Sequence, residues 1–248
     1  MRMEDKIAIV TGGASGFGAG IVEKFVAEGA RVMIADLNFD GAKSMSESLG
    51  QQTSACKVDV SKAEDVAAMT KTTMDTFGRV DILVNNAGIT HLPTPMEDVS
   101  EDEFDRVLAV NVKSIYLTAK HIVPIMKSQK SGNILNISST AGLSPRPKLN
   151  WYNATKGWVN TATKTMAVEL APDGIRVNAL NPVAGETPLL KSFLGEDTPE
   201  MRAKFLSTIP LGRFSTPEDL GNAACNLCSD ESSMITGVCL QVDGGRCI

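Results

Sequence analysis

A single-domain α/β fold, with a seven-stranded parallel sheet doubly wound by helices on both faces, is predicted by three observations. Short apolar runs alternate with longer amphipathic stretches, no Pro/Gly/Ser-rich linker or internal repeat divides the chain, and 248 residues with 43% hydrophobic content can fill one sizeable core. The apolar runs, read as strands, lie at 6–10, 31–35, 54–58, 82–85, 133–137, 175–180 and 238–242. Helical patterns lie between them near 17–28, 40–49, 62–77, 101–128, 151–171 and 216–229, the rhythm of successive β-α-β units. From about 184 to 210 that rhythm breaks, with Gly185, Pro188, Gly195, Pro199 and Pro210 around Leu189-Leu190 and Phe193-Leu194. Such an insertion beside a regular scaffold is expected to act as a substrate lid.

Charge and composition exclude several classes. A formal charge of −5 supplies no basic field for a phosphate backbone, which argues against nucleic-acid binding. No apolar run approaches the roughly 20 residues of a membrane span. The opening Met1-Arg2-Met3-Glu4-Asp5-Lys6 leads straight into a strand without the apolar region of a secretory signal, so a cytoplasmic location is expected. Cys225 and Cys228 form a C-x-x-C inside a helical pattern, while Cys56, Cys239 and Cys247 are scattered and His91 and His121 isolated. They read as core cysteines in a reducing compartment, with no metal site.

Three motifs carry chemistry. Gly12, Gly16 and Gly18 follow the first strand and open a helix near Phe17, a doubly wound Rossmann arrangement that lets a pyrophosphate approach the helix N-terminus. Asp36 ends the second strand eighteen residues after Gly18, where a carboxylate accepts ribose hydroxyls and repels a 2′-phosphate. Gly13, Ala14, Ser15, Leu37 and Asn38 supply no cation to hold that phosphate, so NAD is favoured over NADP. Finally, Tyr152 and Lys156 are four residues apart on one predicted helix face, and Ser139 lies thirteen residues upstream of Tyr152.

Together these residues resemble the short-chain dehydrogenase/reductase family over nearly all of the chain. The resemblance implies a cofactor half at about 1–130 and a catalytic half at about 131–248. It assigns cofactor contacts to Gly12, Ser15, Gly16, Phe17, Gly18, Asp36, Leu37, Asp59, Val60, Asn86, Ala87, Gly88, Tyr152, Lys156, Pro182, Val183 and Thr187. It makes Asn111, Ser139, Tyr152 and Lys156 the catalytic set, Asn111 ordering a water that leads to Lys156. Val183 stands where the family usually carries glycine, which puts the local backbone in question. Homotetramers built through the two long helices and the last strand are also implied.

In this reading Tyr152 is the acid and base for a secondary alcohol or ketone. Bringing a phenol from ~10 to near pH 7 requires roughly 4 kcal/mol. One ammonium at about 4 Å contributes about 4 kcal/mol at an effective dielectric near ~20. Candidate pocket walls are Thr90, His91, Leu143, Ser144, Arg146, Leu149, Trp151, Leu189, Leu190 and Phe193; Arg146 and Lys148 could meet an anionic substrate, although solvated loop charges are the favoured reading. Two rivals share the motifs: a 3-oxoacyl-[acyl-carrier-protein] reductase, and a non-catalytic NAD-binding sensor.

Overall fold

The computed structural model describes residues 1–248. Seven parallel strands run β1 (Ile7–Thr11), β2 (Arg31–Asp36), β3 (Thr53–Lys57), β4 (Ile82–Asn85), β5 (Gly132–Ile137), β6 (Ile175–Pro182) and β7 (Cys239–Val242). They are ordered β3-β2-β1-β4-β5-β6-β7. The helices are α1 (Gly16–Ala27), α2 (Phe39–Leu49), α3 (Ala63–Phe77), α4 (Glu101–Leu108), α5 (Ser114–Gln129), α6 (Asn150–Leu170), α7 (Leu190–Leu194), α8 (Pro199–Leu206) and α9 (Pro217–Cys228).

The two-residue period of a strand sorts the apolar runs into two cores. Ala8 and Val10 face one side with Ile21, Val22 and Phe25 of α1 and with Leu220, Ala224, Cys225 and Cys228 of α9. Ile9 faces the other, with Val66 of α3, Ile122 and Met126 of α5, and Leu170 of α6. Each fully buried Ile or Phe contributes about 1.5–3 kcal/mol, so the sheet is held from both sides. The C-x-x-C thiols therefore belong to the core, and burial pushes Cys228 up to about 12.

Two details depart from the sequence reading. The helix expected over 101–128 is interrupted by a π turn at Ala109–Lys113, which separates α4 from α5 and carries Asn111. The expected lid contains two short helices, α7 and α8, over a small core of its own formed by Val183, Leu190, Leu194, Ile209 and Phe214. Leu190 is thus a core residue rather than a pocket wall.

The strand order reverses between β1 and β4, both of which border the same crevice at their C-terminal ends. Helices α1 and α9 cross above it in backbone contact: a Cβ on Gly20 would overlap the Pro217 carbonyl, and one on Gly221 would come within 2.5 Å of the Gly20 carbonyl. The last helix of the chain therefore fixes the first.

Candidate functional site

A cavity of about 440 Å³ occupies this crevice, within the usual range for a small-molecule site. At its first end the β1–α1 turn is lined by Gly12, Ser15, Gly16 and Phe17. Gly12 and Gly16 adopt φ of +62° and +54°, which a side chain at either position would strain. Ser15 makes no side-chain cap on α1, and no acidic residue stands in its first turn. The free N–H groups of that turn are therefore directed at the cavity and suit an anion. Gly18 does not line the cavity; a Cβ there would overlap the Gly12 carbonyl, so it acts by letting helix and loop meet. Asn86 donates from Nδ2 to the carbonyls of Thr11 (2.8 Å) and Gly12 (2.9 Å), clamping the same turn.

Asp36 lines the cavity with Leu37, Asp59 and Val60. Its carboxylate accepts from the Ala14 N–H and the Asn38 N–H, both at 2.9 Å, and Asn38 rather than Asp36 caps α2. An ionised carboxylate has about four acceptor sites, so two remain. Asp59 accepts from the Ser61 hydroxyl at 2.6 Å, and this bond holds its carboxyl below the ordinary range.

At the other end lie Ser139, Tyr152 and Lys156, with Asn86, Ala87 and Gly88 between the two ends. Ser138 is committed elsewhere: its hydroxyl donates to the Lys156 carbonyl at 3.0 Å. Ser139 is the serine that lines the cavity beside Tyr152 with its hydroxyl free to donate, since that oxygen only accepts, from the Ala141 N–H at 3.1 Å. The close approach of the 3-10 turn Thr140–Gly142 to α6 makes this possible, since a Cβ on Gly142 would sit 2.6 Å from the Lys156 carbonyl carbon. The Lys156 ammonium donates to the Ile137 carbonyl at 2.9 Å and lies 5.8 Å from the Tyr152 ring centroid.

The electrostatics correct the sequence argument. Burial pushes the Tyr152 phenol up to about 12, against the opposing hydrogen bond from Ser139 and the charge of Arg146. Burial also lowers Lys156 to about 8. Desolvation dominates both shifts, because both groups are almost fully buried. The protein alone does not ready the phenol for neutral pH.

Asn111 is 2% exposed and stands behind the cavity rather than lining it. Its amide accepts from the Ile89 N–H (2.9 Å) and donates to the Ile89 carbonyl (2.8 Å) and the Thr155 hydroxyl (3.1 Å). A Cβ on Gly88 would be 3.4 Å from Asn111 Oδ1 and 3.5 Å from Lys156 Nζ, so Gly88 lets these two side chains draw together.

Pro182, Val183 and Thr187 border the cavity. The glycine-to-valine departure is harmless: Val183 has no positive φ, and its N–H donates to the Val242 carbonyl at 3.2 Å. That N–H is unavailable to a ligand, which leaves the carbonyl. Thr187 packs on the glycine turn, its Cβ 3.2 Å from where a Cβ on Gly16 would lie.

Among the expected pocket walls, Ser144, Arg146, Leu189 and Phe193 line the cavity. Thr90, His91, Leu143 and Trp151 do not. His91 is 1% exposed, with Nδ1 at 2.8 Å from the Leu92 carbonyl, while Trp151 stacks edge-on against Phe104. The lining residues that escaped the sequence reading include Phe205 of α8 and Arg246 near the C-terminus. No local pattern marks either. A further omission is a buried chain: Thr118 Oγ1 donates to Asn85 Oδ1, Asn85 Nδ2 to Asn136 Oδ1, and Asn136 Nδ2 to Thr163 Oγ1, each at 2.9 Å. It ties β4 and β5 to α5 and α6 behind the Tyr152 site.

The family model described as enoyl-(acyl carrier protein) reductase matches residues 12–246. The 4-formylbenzenesulfonate dehydrogenase of Comamonas testosteroni is 47% identical, covering 99% of this chain and 99% of its own. A 3-oxoacyl-[acyl-carrier-protein] reductase of Thermotoga maritima is 38% identical with full coverage of both. Among solved structures, a 3-ketoacyl-(acyl-carrier-protein) reductase from Brucella melitensis complexed with NADH is 48% identical with a TM-score of 0.95, covering 99% of this chain and 100% of that one.

Proposed function

Because the chain belongs to the short-chain dehydrogenase/reductase family of oxidoreductases, we propose that it transfers a hydride between NAD(H) and the secondary alcohol or ketone of a small molecule. The observation that carries this reading is the convergence of the Ser139 hydroxyl, the Tyr152 phenol and the Lys156 ammonium at one end of a crevice whose other end presents Asp36.

The residues fit a dinucleotide. The free N–H groups at the start of α1 would hold its pyrophosphate, and the two spare acceptor sites of Asp36 the adenosine ribose. Asp59 and Val60 would border the adenine. Tyr152 and Lys156 would hold the nicotinamide ribose, and the Val183 carbonyl and Thr187 the carboxamide. The cations that line the cavity are Arg146, Lys156 and Arg246, none beside Asp36, which supports NAD over NADP. The bound nicotinamide supplies the hydride acceptor or donor.

For a ketone, Ser139 donates a hydrogen bond to the carbonyl oxygen and Tyr152 gives that oxygen its proton. For an alcohol, Tyr152 takes the proton away. Burial raises the phenol, so oxidation needs positive charge close to it. Lys156 and a bound oxidised nicotinamide would supply that charge, and reduction needs no such lowering because the protonated phenol is the reactant. Asn111 Oδ1 and Lys156 Nζ both lie close to Gly88, which supports Asn111 as the group that would order a water leading to Lys156.

A second reading, reduction of a 3-oxoacyl group on a carrier protein, is favoured by the likeness to the Brucella and Thermotoga proteins. Against it stands the acidic Asp173, which pairs with Lys127 at 3.0 Å where that subfamily carries a basic residue; Asp36 does not separate the readings, since the Brucella reductase is itself complexed with NADH. NADH and NADPH consumption against small ketones, diketones, cyclic ketones, sugars and an acetoacetyl thioester separates the two. Free-ketone turnover with NADH is expected. Turnover of the thioester alone, with either nucleotide, would establish the second reading, and none in a folded NADH-binding protein would point to a sensor. The expected homotetramer would cover the exposed Tyr116, Trp158 and Val168 on α5 and α6 and Leu240 on β7. Light scattering at micromolar concentration checks it.

A further inference from the structure

The cavity is sorted by charge along its length. Asp36 and Asp59 border the glycine-turn end, while Arg146 and Arg246 border the end beyond Tyr152. A second chamber of about 720 Å³ adjoins that end, sharing Arg146, Phe193, Phe205 and Arg246 with the first. It adds Lys148 and Lys204, and Glu196 is the one carboxylate on its wall. Four cations against one carboxylate line the mouth of a protein whose overall charge is −5.

The two arginines lack counter-ions. Arg2, Arg79, Arg202 and Arg213 each pair with a carboxylate; Arg146 and Arg246 pair with none. Arg176, also half-buried, is satisfied differently, donating to the carbonyls of Leu227, Ile235 and Ser229. Arg146 makes a single long side-chain contact, 3.5 Å to the Phe193 carbonyl, and Arg246 one to the Thr208 hydroxyl. A guanidinium carries five N–H donors, so most of theirs are unused. Phe205 holds both in place, each guanidinium carbon 4.9 Å from its ring centroid. Asn153 donates to the Arg146 carbonyl at 2.7 Å and anchors that loop to α6, one residue after Tyr152. Phe193 completes the wall, its ring edge-on to Tyr152 at 5.1 Å.

Resting on the dehydrogenase reading above, we propose that Arg146 and Arg246 form a clamp for a carboxylate or sulfonate on the substrate, which is therefore a compact anionic carbonyl compound or the matching alcohol. Two like charges held against one ring repel each other, which an anion beside them relieves, and a planar carboxylate or a sulfonate meets the guanidinium fork with two hydrogen bonds. Phe193 and Phe205 would border the apolar body that joins this anion to the reacting carbon at Tyr152 and Ser139. Burial and the neighbouring Arg246 hold the Arg146 guanidinium below its ordinary value, a cost that a bound anion reverses.

The test compares kcat/KM for NADH-dependent reduction of acetophenone, 4-acetylbenzoate and 4-acetylbenzenesulfonate, and of the matching small aliphatic pair 2-butanone and levulinate. Wild-type protein should prefer the anion in at least one pair by about 30-fold or more, mostly through KM, with the preference shrinking as salt rises. In R146Q and R246Q the ratio of anionic to neutral substrate should fall towards one, and R246K should restore part of it. Equal use of neutral and anionic partners by the wild type, or ratios unchanged in both variants, overturns the clamp. If no carbonyl compound turns over, the dehydrogenase reading fails separately, and calorimetric titration with benzenesulfonate and levulinate still decides the clamp. Binding lost in R146Q and R246Q supports it, and no binding to the wild type overturns it.

Discussion

The two ends of the crevice are built from different materials. At the glycine turn, nearly every feature is main chain: positive-φ glycines, the uncapped first turn of α1, and carbonyls clamped by Asn86. At the substrate end the features are side chains brought from separate places, Arg146 from the loop before α6, Phe193 from α7, Phe205 from α8 and Arg246 from the C-terminus. A main-chain site recognises what all dinucleotides share and tolerates little change. A side-chain site of this kind can be respecified one residue at a time, which is consistent with the range of substrates in the names of the relatives.

The largest break in that comparison is expected from Tyr152→Phe. It should reduce turnover by about 10³-fold or more, roughly 4 kcal/mol of barrier, while NADH binding measured by fluorescence titration survives. Gly18→Ala should do the reverse. The added Cβ overlaps the Gly12 carbonyl, so NADH affinity should weaken by about 100-fold, and a variant that binds normally would show that the turn can relax.

Asp36→Ala should narrow the ratio of kcat/KM for NAD against NADP by about tenfold or more; an unmoved ratio removes Asp36 from the ribose. The pH profiles sharpen the comparison further. Burial raises Tyr152, so ketone reduction, which needs the protonated phenol, should hold at neutral pH and fall only in the alkaline range. Alcohol oxidation needs the phenolate, so it should rise with pH, and its break should lie below that of reduction because oxidised nicotinamide carries a positive charge. Coincident breaks would remove the cofactor's charge from the argument.

The smallest effect concerns the scaffold. Asp219 accepts from the Thr216 N–H at 2.8 Å in a capping box and pairs with Arg213, and these contacts lower it to about 2. Because its folded value lies below the unfolded one, its contribution is complete above the unfolded value of roughly 4 and is lost as pH falls through about 2. Asp219→Asn should cost about 1 kcal/mol, a Tm fall of roughly 2–4 °C at pH 7, with a smaller gap from wild type at pH 3.

Much of this site was legible because its signals are short in sequence. Tyr152 and Lys156 are one helical turn apart, and Gly12, Gly16 and Gly18 lie within a single strand-to-helix turn, so local geometry places them. Ser139 required the spacing of a resemblance to be chosen over Ser138, and the commitment of Ser138 to the Lys156 carbonyl gives the physical reason. The π turn at Asn111 was not legible, since residues 101–128 keep a helical pattern across it and only the bonds to Ile89 and Thr155 mark the position. The burial that raises Tyr152 was not legible, because burial cannot be read from a four-residue spacing. Arg146 was legible as a pocket wall, but its sharing of the Phe205 ring with Arg246, a hundred positions away in the chain, was not.

By itself the sequence determined the parallel sheet, the glycine turn, the acid at the end of β2 and the Ser139, Tyr152 and Lys156 group, because periodicity and short spacings act through local backbone geometry. Only the tertiary structure decided the crossing of Gly20 with Gly221, the burial that raises Tyr152, and the meeting of residues 146, 193, 205 and 246 in one cationic mouth. These depend on long-range packing and on which charges lose their water, and neither quantity is carried by any short stretch of chain.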